Sequence, residues 1–376
     1  MTPWLLASGD FVPVGGMDTA NHALASYLAR RGESDVHLVA HRVSPDLSAL
    51  PGVHVHHVPR PFGAHSLGEP LLTTIAAKHA RRVLAAGGHV VANGGNIDAG
   101  DVSWAHYVHA AYTPSAAGVV RSAIVATRHR RYAASERRAL TRARLIVCNS
   151  DRTVDDLVQR VGVDPVRARR VYYGIDSLRF LPPVDSSRAK ATLGYDAHSP
   201  LVLFVGALGD RRKGFDTLFS AWCELCRRSD WDAQLLVAGS GAELDAWRAR
   251  AARSGSAANR TTFLGYRTDV PALMAAADLL VHPARYEAYG LAVHEALCCG
   301  VPAVVSESAG VAERFPDGLR PLLLHDTDSP TELAARLRTW RDGKDSFRAR
   351  ALAFGAVLRG RTWDDMSRDI VAMAGS

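Results

Sequence analysis

Two glutamates separated by seven residues begin and end the segment EAYGLAVHE, which runs from Glu287 to Glu295. The segment follows the apolar run DLLVHP, and the next helical pattern begins at Gly290 and Leu291. Free backbone N–H groups at a helix start, together with the helix dipole, form a site for anions. Gly290 lets a phosphate or sugar approach the backbone closely. Glu295 can accept hydrogen bonds from a vicinal diol such as a ribose, and Glu287 from a sugar hydroxyl.

A basic turn, Arg211-Arg212-Lys213, follows the apolar run LVLFVGAL. A fixed ammonium group stabilises the charge that develops on a leaving phosphate, although charge alone is more typical of a solvated turn. The run QLLVAG ends at Gly239 in a Gly-Ser-Gly turn that resembles half of a dinucleotide fingerprint. Because the third glycine and the following acid are absent, we interpret it as a turn near a nucleotide.

Three patterns resemble metal sites, and we interpret each as structural. The D-x-D of residues 326–328 precedes a helix start, where acidic residues are expected anyway. The histidines of residues 54–57 lie on a predicted strand with no acid or cysteine to complete a site, so we expect them at the surface. Cys223 and Cys226 form a single CxxC without a second pair. The sequence therefore predicts no metal.

The elements that must position these groups alternate between helix and strand in two blocks. Residues 181–200, with three prolines and several small polar residues, interrupt the alternation. We therefore predict an α/β protein with an N-terminal domain of residues 1–183, completed by about 358–376, and a C-terminal domain of residues 184–357. The strands predicted for the first block lie at 36–39, 51–58, 89–92, 101–109, 145–148 and 171–173. Those of the second block lie at 201–208, 234–239, 261–265, 278–283, 302–306 and 321–324.

Composition excludes several classes of protein. The 376 residues carry 45 Lys and Arg against 38 Asp and Glu, a formal charge of +7, and 47% are hydrophobic, which excludes a disordered chain. Five cysteines argue against a disulfide framework and indicate a reducing compartment. No segment reaches the roughly 18 apolar residues that a membrane span needs. The segment MTPWLLASGDF lacks the pattern of a secretory signal, so we expect a cytoplasmic protein.

The basic stretch of residues 126–144 holds several arginines around a single acid, Glu136. We expect a solvated helix in which Glu136 partly balances the charge. A helix that contacts a lipid surface, at the inner face of a membrane, stays open as an alternative. Because no aromatic residues alternate with the arginines, we expect no nucleic-acid partner.

Taken together, these segments resemble the family-4 retaining glycosyltransferases of the GT-B fold, whose hallmark is a pair of glutamates with this spacing inside E-x-[FY]-G-L. The resemblance covers nearly the whole chain. It is carried by PVGGMDTANHALASYLARRG, RLIVCNS, VYYGIDSLRF, FVGALGDRRKGFDTL, VAGSGAE, FLGYRTDVPALMAAADLLVHP and RTWDDM. It implies two Rossmann-like domains that face each other across a cleft, with the C-terminal helix crossing back to the N-terminal domain.

The resemblance also implies roles for individual residues. Glu295 would hold the ribose hydroxyls of the donor nucleotide, and Glu287 would contact the transferred sugar. Lys213 would neutralise the leaving diphosphate, and His109 would touch the donor sugar or phosphate. The other implied donor-binding residues are Gly15, Gly16, Gly206, Arg212, Gly239, Tyr266, Arg267, Ala288, Tyr289, Gly290 and Leu291. Gly15 and Gly16 could equally form a plain turn, and His106 is as consistent with a structural histidine as with a functional one.

One position departs from the family pattern. Many members have an arginine directly after the glycine of the first C-domain strand, whereas this chain has Ala207 after Gly206. Either Arg211 or Arg212 takes over that contact, or phosphate binding depends on Lys213 alone.

The resemblance predicts transfer of a hexose-type sugar from a nucleotide diphosphate sugar, with UDP or GDP, to a hydroxyl acceptor. The acceptor could be a glycan, a glycolipid or a small metabolite, and no metal or cofactor would take part. The abundance of Ala and Arg is typical of a GC-rich bacterial genome. Three alternatives stay open at this point. These are a non-catalytic nucleotide-sugar-binding protein, a phosphorylase-like enzyme with a lysine-bound pyridoxal group, and, disfavoured by the incomplete fingerprint, a dehydrogenase.

Overall fold

The computed structural model describes residues 2–63, 65–114 and 119–375. The chain forms two compact units. The first comprises Met1–Thr113, Ala126–Gly174 and Arg361–Ser376, and the second comprises Pro114–Val125 and Ile175–Gly360. The first unit gives way to the second after Gly174, ahead of the domain boundary that the prolines of 181–200 predict. The predicted α/β class with parallel sheets in two domains is confirmed.

The strands of both units are short and mostly buried. Those of the first unit are β1 (Thr2–Ala7), β2 (Asp10–Phe11), β3 (Ser34–Ala40), β4 (Arg42–Val43), β5 (Val53–His57), β6 (His89–Asn93), β7 (Val102–Ala105), β8 (Leu145–Cys148) and β9 (Ala168–Arg170). Those of the second unit are β10 (Leu201–Val205), β11 (Gln234–Ala238), β12 (Thr261–Gly265), β13 (Leu279–His282), β14 (Ala303–Ser306) and β15 (Leu323–Leu324).

The helices lie between these strands and after the last of them. They are α1 (Gly16–Arg30), α2 (Pro45–Ser48), α3 (His65–Ala85), α4 (Val119–Arg142), α5 (Asp151–Asp156), α6 (Ser186–Thr192), α7 (Phe215–Leu225), α8 (Leu244–Ala252), α9 (Val270–Ala276), α10 (Leu291–Cys298), α11 (Pro330–Asp342), α12 (Lys344–Arg359) and α13 (Trp363–Ala374). Residues 157–161 continue α5 as a π-helical turn.

Both main sheets are parallel and doubly wound. The first has the strand order β5-β3-β1-β6-β7-β8-β9, and the second has β12-β11-β10-β13-β14-β15. In the first sheet Leu5 of β1 pairs with His37 of β3 on one side and with Val90 of β6 on the other. The chain reverses its direction of winding beside β1 and again beside β10. Ligands of such sheets bind where the winding reverses, at the carboxyl ends of the strands.

The last helix, α13, completes the first unit by packing against α1. Arg30 of α1 donates to Asp364 of α13 at 2.5 Å, and Thr362 and Asp365 form a capping box at the start of α13. Gly174 lies so close to this start that a Cβ there would be 2.2 Å from the backbone of Thr362. The last helix therefore returns to the first unit, as the resemblance implies.

Three predicted elements differ from the structure. The strand predicted at 101–109 ends at Ala105, so that His106 and His109 follow it rather than belong to it. The strand predicted at 171–173 is wrong, because the edge strand β9 precedes it. The arginines of β9 are exposed and gave no apolar signal, whereas residues 171–173 are buried or partly buried in the loop that follows. The strand predicted at 201–208 ends at Val205, and residues 206–208 belong to the loop that follows.

Candidate active site

The start of α10 lies at the point where the winding of the second sheet reverses. Gly290 precedes the helix with φ +103°, a left-handed conformation that favours glycine, and a Cβ there would be 3.0 Å from Val311. The N–H groups of Val293 and His294 bond to the Gly290 carbonyl. Those of Leu291 and Ala292 find no backbone acceptor in the described part of the chain. This helix start can therefore receive an anion, as the sequence predicts.

Glu287, in the loop between β13 and α10, is the centre of a charged cluster. Its Oε2 accepts from Lys213 Nζ at 2.6 Å and from His282 Nε2 at 2.8 Å. Burial alone would raise the pKa of Glu287, but the Lys213 ammonium and the hydrogen bond from His282 outweigh it and hold that pKa well below its usual range. Glu287 is therefore an ionised carboxylate, and both of its partners are fixed in place.

The turn that carries Lys213 is fixed to the loop after β13 by backbone contacts. The N–H of Arg285 donates to the Arg212 carbonyl at 2.7 Å. Gly214 has φ +68°, and a Cβ there would lie 2.0 Å from the carbonyl oxygen of Pro283. The two loops can approach this closely only because residue 214 is glycine.

Arg285 holds the same turn through its side chain, a role that no local sequence pattern predicts. Its guanidinium donates to the Arg211 carbonyl at 2.6 Å, to Asp216 at 2.8 and 3.0 Å, and to Asp328 at 2.7 Å. Asp328 belongs to the D-x-D segment, which accordingly forms an ion pair here. Arg285 is thus a positioning residue for the turn of Lys213.

We expect Arg285→Met to lower kcat roughly tenfold to a hundredfold with a smaller change in KM, because it frees the turn that aims the Lys213 ammonium. Steady-state kinetics would measure both constants. The control is Arg228→Met, because Arg228 forms an exposed ion pair with Asp230. A variant at Arg285 that raises KM and leaves kcat unchanged would contradict the positioning role.

The three cations of the basic turn have different partners. The Arg212 guanidinium pairs with both oxygens of Asp210, at 3.0 and 2.6 Å. Arg211 is mostly exposed and pairs with Asp216 at 3.1 Å. Lys213 contacts Glu287 at 2.6 Å.

Glu295 lies one turn inside α10 and is partly buried. Burial raises the pKa of Glu295 to about 8, with Arg179 acting in the opposite direction. No side-chain hydrogen bond to Glu295 is found among the described residues. A carboxyl group in this state is available to a ligand that can donate hydrogen bonds to it.

The two glycine turns of the second unit touch each other. A Cβ at Gly239 would lie 1.9 Å from the carbonyl oxygen of Gly206, and one at Gly241 would lie 1.8 Å from that of Leu208. The predicted contacts of Gly206 and Gly239 with a donor would therefore be backbone contacts. Both turns follow the neighbouring strands β10 and β11 at their carboxyl ends.

The tyrosines and Arg267 predicted to bind a donor have contrasting surroundings. Tyr289 is buried, and its hydroxyl bonds to His294 at 2.7 Å and to Arg314 at 2.9 Å. Burial raises the pKa of Tyr289 to about 12. The phenol is thus part of the core, and residues 288–291 offer backbone groups. Tyr266 is 64% exposed, and Arg267 pairs with Asp269.

The candidates of the first unit lie apart in sequence, at the start of α1 and after β7. Gly15, with φ +83°, directly precedes α1, and Gly16 is its first residue. The ring of His109 bonds to the Tyr112 hydroxyl at 3.2 Å, and the His109 N–H donates to Glu136 Oε2 at 2.8 Å. His109 and Glu136 line a pocket of about 570 Å³. The arginines of α4 are mostly exposed, as expected for a solvated helix, but Glu136 itself is buried rather than solvated.

His106 is a hydrogen-bonded core residue. Its Nδ1 bonds to the Tyr173 hydroxyl at 2.5 Å, and its carbonyl accepts from Asn149 at 2.9 Å. Burial lowers the pKa of His106 to about 3, so the ring is neutral. The sequence is consistent with either a structural or a functional role for His106, and these contacts favour the structural one.

Within the described ranges, no group of three or more His, Cys, Asp or Glu side chains has a geometry that could hold a metal ion. His54 and His57 are exposed as expected, but His56 is half-buried and bonds to His37 at 3.0 Å. The five cysteines are free. No described helix is long and apolar enough to cross a membrane.

Two family models match the chain. "Glycosyltransferase Family 4" matches residues 14–179, and "Glycosyl transferases group 1" matches residues 199–341. The lipopolysaccharide core biosynthesis mannosyltransferase LpsB of Rhizobium meliloti is 36% identical over 39% of this chain, which spans only 43% of that protein. The D-inositol 3-phosphate glycosyltransferase of Salinispora tropica is 28% identical, over 96% of this chain and 81% of its own length.

Solved structures agree with these matches in their fold. WaaG, a glycosyltransferase involved in lipopolysaccharide biosynthesis, superimposes with a TM-score of 0.79 at 22% identity, over 99% of both chains. Anabaena Alr3699/HepE in complex with UDP and glucose gives 0.70 at 21% identity, over 100% of both chains. The two family models together match most of the residues, on either side of residues 180–198. The chain therefore belongs to the family-4 glycosyltransferases and has the GT-B fold.

Proposed function

We propose that this glycosyltransferase moves a hexose-type sugar from a nucleoside diphosphate to a hydroxyl acceptor, with retention of the anomeric configuration. The observation that carries the proposal is the contact of Glu287 with Lys213 and His282 beside the start of α10. An ammonium group and free helix N–H groups offer positive charge to a diphosphate. HepE, which has this fold, has been solved with UDP-glucose, so UDP is the first nucleotide to test.

Each residue has a defined task in this proposal. The bond between the anomeric carbon and the β-phosphate oxygen breaks, and Lys213 and the α10 N–H groups stabilise the charge left on the phosphate. The acceptor oxygen bonds to the same face of the anomeric carbon, and its proton passes to a β-phosphate oxygen. Glu287 accepts a hydrogen bond from the transferred sugar and keeps Lys213 in place. Glu295 receives the ribose hydroxyls.

The experiment is a panel of nucleotide sugars, each incubated with hydroxyl acceptors and assayed for release of the nucleoside diphosphate, followed by NMR of the glycoside formed. We expect turnover with one donor and the same anomeric configuration in donor and product. If a nucleotide binds but the donor is neither turned over nor slowly hydrolysed, the transfer activity is contradicted. Inversion of the product would contradict retention alone.

We expect Glu295→Gln to weaken UDP binding roughly tenfold to a hundredfold, since the variant loses hydrogen bonds to a charged acceptor. In the free protein the pKa of Glu295 is about 8, whereas ribose hydroxyls favour the ionised carboxylate. Binding below that pH must then release a proton, so affinity rises as the pH increases towards 8 and levels off above it.

Calorimetric titration with UDP in two buffers of different ionisation heat measures both affinity and proton release. Glu295→Gln should lose the proton release that this carboxyl provides. Glu224→Gln, at an exposed position of α7, is the matched control and should behave as the parent chain does. Unchanged affinity in Glu295→Gln would show that the ribose assignment is wrong.

A further inference from the structure

The pocket of the first unit opens at the carboxyl ends of its parallel strands, near the reversal of winding beside β1. Its volume of about 570 Å³ lies within the range of about 300–1,000 Å³ that is usual for small-ligand pockets. Asn93 ends β6, and Asn96 follows in the next loop. Both line the pocket and carry amide groups that can pair with hydroxyls.

The charged side chains that line this pocket are mainly acidic. They are Asp10, Asp18, Glu69, Glu136 and Arg128. Asp10 is already neutralised, because Arg42 donates to it at 2.8 Å and Arg60 at 2.9 Å. Three carboxyl groups therefore remain in a pocket with one arginine in its lining.

Glu136 is a buried carboxyl group to which the described part of the chain brings no cationic partner. Its side chain is 3% exposed, and Oε2 accepts from the His109 N–H. Oε1 has no hydrogen-bond partner within the described ranges. It faces Gly94, and a Cβ built on Gly94 would lie 3.7 Å from it. Burial raises the pKa of Glu136 to about 8. A buried carboxyl that lacks a counter-charge is costly to ionise and is stabilised by any cation placed beside it.

The other two carboxyl groups are also partly buried, but arginines lie near both of them. Burial and the charge of Asp10 raise the pKa of Asp18 to about 6, in spite of Arg42 and Arg60. Burial also raises the pKa of Glu69, against a hydrogen bond from Tyr132 and the charge of Arg131. All three therefore favour a ligand that brings positive charge, and all three oppose one that brings a phosphate.

We propose that this pocket binds an acceptor with an ammonium group on a polyhydroxylated ring, and that Glu136 is the principal partner of the ammonium. The proposal rests on the proposed function in that the bound ring is the sugar acceptor. The ring hydroxyls pair with Asn93 and Asn96, and Asp18 adds negative charge. The proposed acceptor is thus positively charged, whereas the inositol 3-phosphate in the names of the relatives carries a negatively charged phosphate.

The test uses three rings that differ in one substituent: an aminodeoxyinositol, myo-inositol and inositol 3-phosphate. Each is titrated into the full chain without nucleotide, and binding is measured by ligand-observed NMR. We expect the amine to bind about tenfold or more tightly than the neutral ring, and the phosphate to bind weakest. Equal binding of the amine and neutral rings, tighter binding of the phosphate, or no binding of the amine would each overturn the proposal.

Glu136→Gln should weaken binding of the amine on the order of thirtyfold and leave binding of the neutral ring little changed. Gln can still accept from the His109 N–H, and a thermal melt checks that the variant is folded. Asp18→Asn is the second variant, with a smaller expected loss. Asp155→Asn, at an exposed position of α5, is the control. An unchanged preference for the amine in both variants would overturn the proposal.

A UDP titration of the same samples separates this inference from the proposed function. Amine binding without binding of UDP, or of GDP in a parallel titration, would refute the donor assignment alone. UDP binding and sugar transfer to a neutral or phosphorylated ring would refute the inference alone.

Discussion

Lys213→Met is expected to lower turnover roughly a hundredfold to a thousandfold, with a much smaller effect on UDP affinity. This is the usual consequence of removing a fixed group that stabilises charge mainly in the transition state. Steady-state kinetics with the donor found in the panel would give kcat, and titration with UDP would give the affinity of the product.

The expectation follows from the contacts of the ammonium group. Lys213 Nζ lies 2.6 Å from Glu287 Oε2, and the turn that carries it is tied to the loop after β13 by Arg285. The ammonium is therefore already in place before the phosphate acquires extra charge, so little reorganisation is needed during the reaction. The substitution also removes the cation that lowers the pKa of Glu287, so that pKa should rise in the variant.

Arg211→Met is the matched control for this experiment. Arg211 is two residues away on the same turn and also cationic, but it is mostly exposed and pairs with Asp216. We expect its removal to change kcat only slightly. Full activity in Lys213→Met together with a loss in Arg211→Met would transfer the phosphate role to Arg211.

The start of α10 could be predicted from the sequence because its signals are contiguous. Gly290 and the apolar residues after it act within one turn of helix, and the same is true of the cap of α11, where Ser329 accepts from the Glu332 N–H at 3.1 Å. Features of this kind need only a short segment, so the type and order of the elements were largely predictable from the sequence.

Contacts between distant segments could not be predicted in this way. The pairing of Arg285 with Asp216 joins residues 69 apart in the sequence, and no local pattern specifies it. Glu136 is surrounded in sequence by arginines, which suggests solvent, yet its helix places it against the backbone of His109. The fate of a charged side chain depends on which elements pack against it, and this is decided only in the folded chain.

The edge strand β9 shows the same limit in a different form. Arg169 and Arg170 are exposed, because an edge strand has one side open to solvent, whereas Val171 is buried in the loop that follows. The pattern of apolar residues in a sequence indicates which residues are buried, not which ones pair in a sheet. Burial and backbone pairing coincide only for strands in the centre of a sheet.

Gly214→Ala is expected to destabilise the second unit by about 3 kcal/mol and to lower its melting temperature by roughly 6–12 °C. The left-handed conformation at φ +68° costs a residue with a Cβ about 1–2 kcal/mol. The remainder comes from the Cβ itself, which would lie 2.0 Å from the Pro283 carbonyl oxygen and must push the two loops apart. Because this displacement moves the turn of Lys213 away from Glu287, kcat should also fall in the protein that remains folded.

Gly194→Ala separates the two contributions. Gly194 lies in the same unit with φ +80°, but a Cβ there would meet nothing within 4 Å. Its replacement should therefore cost only the conformational part, about 1–2 kcal/mol, and leave kcat unchanged. Thermal melts and kinetics of the two variants side by side isolate the effect of the close approach to Pro283. If Gly214→Ala were as mild as Gly194→Ala in both measurements, the contact between the two loops would not be what positions Lys213.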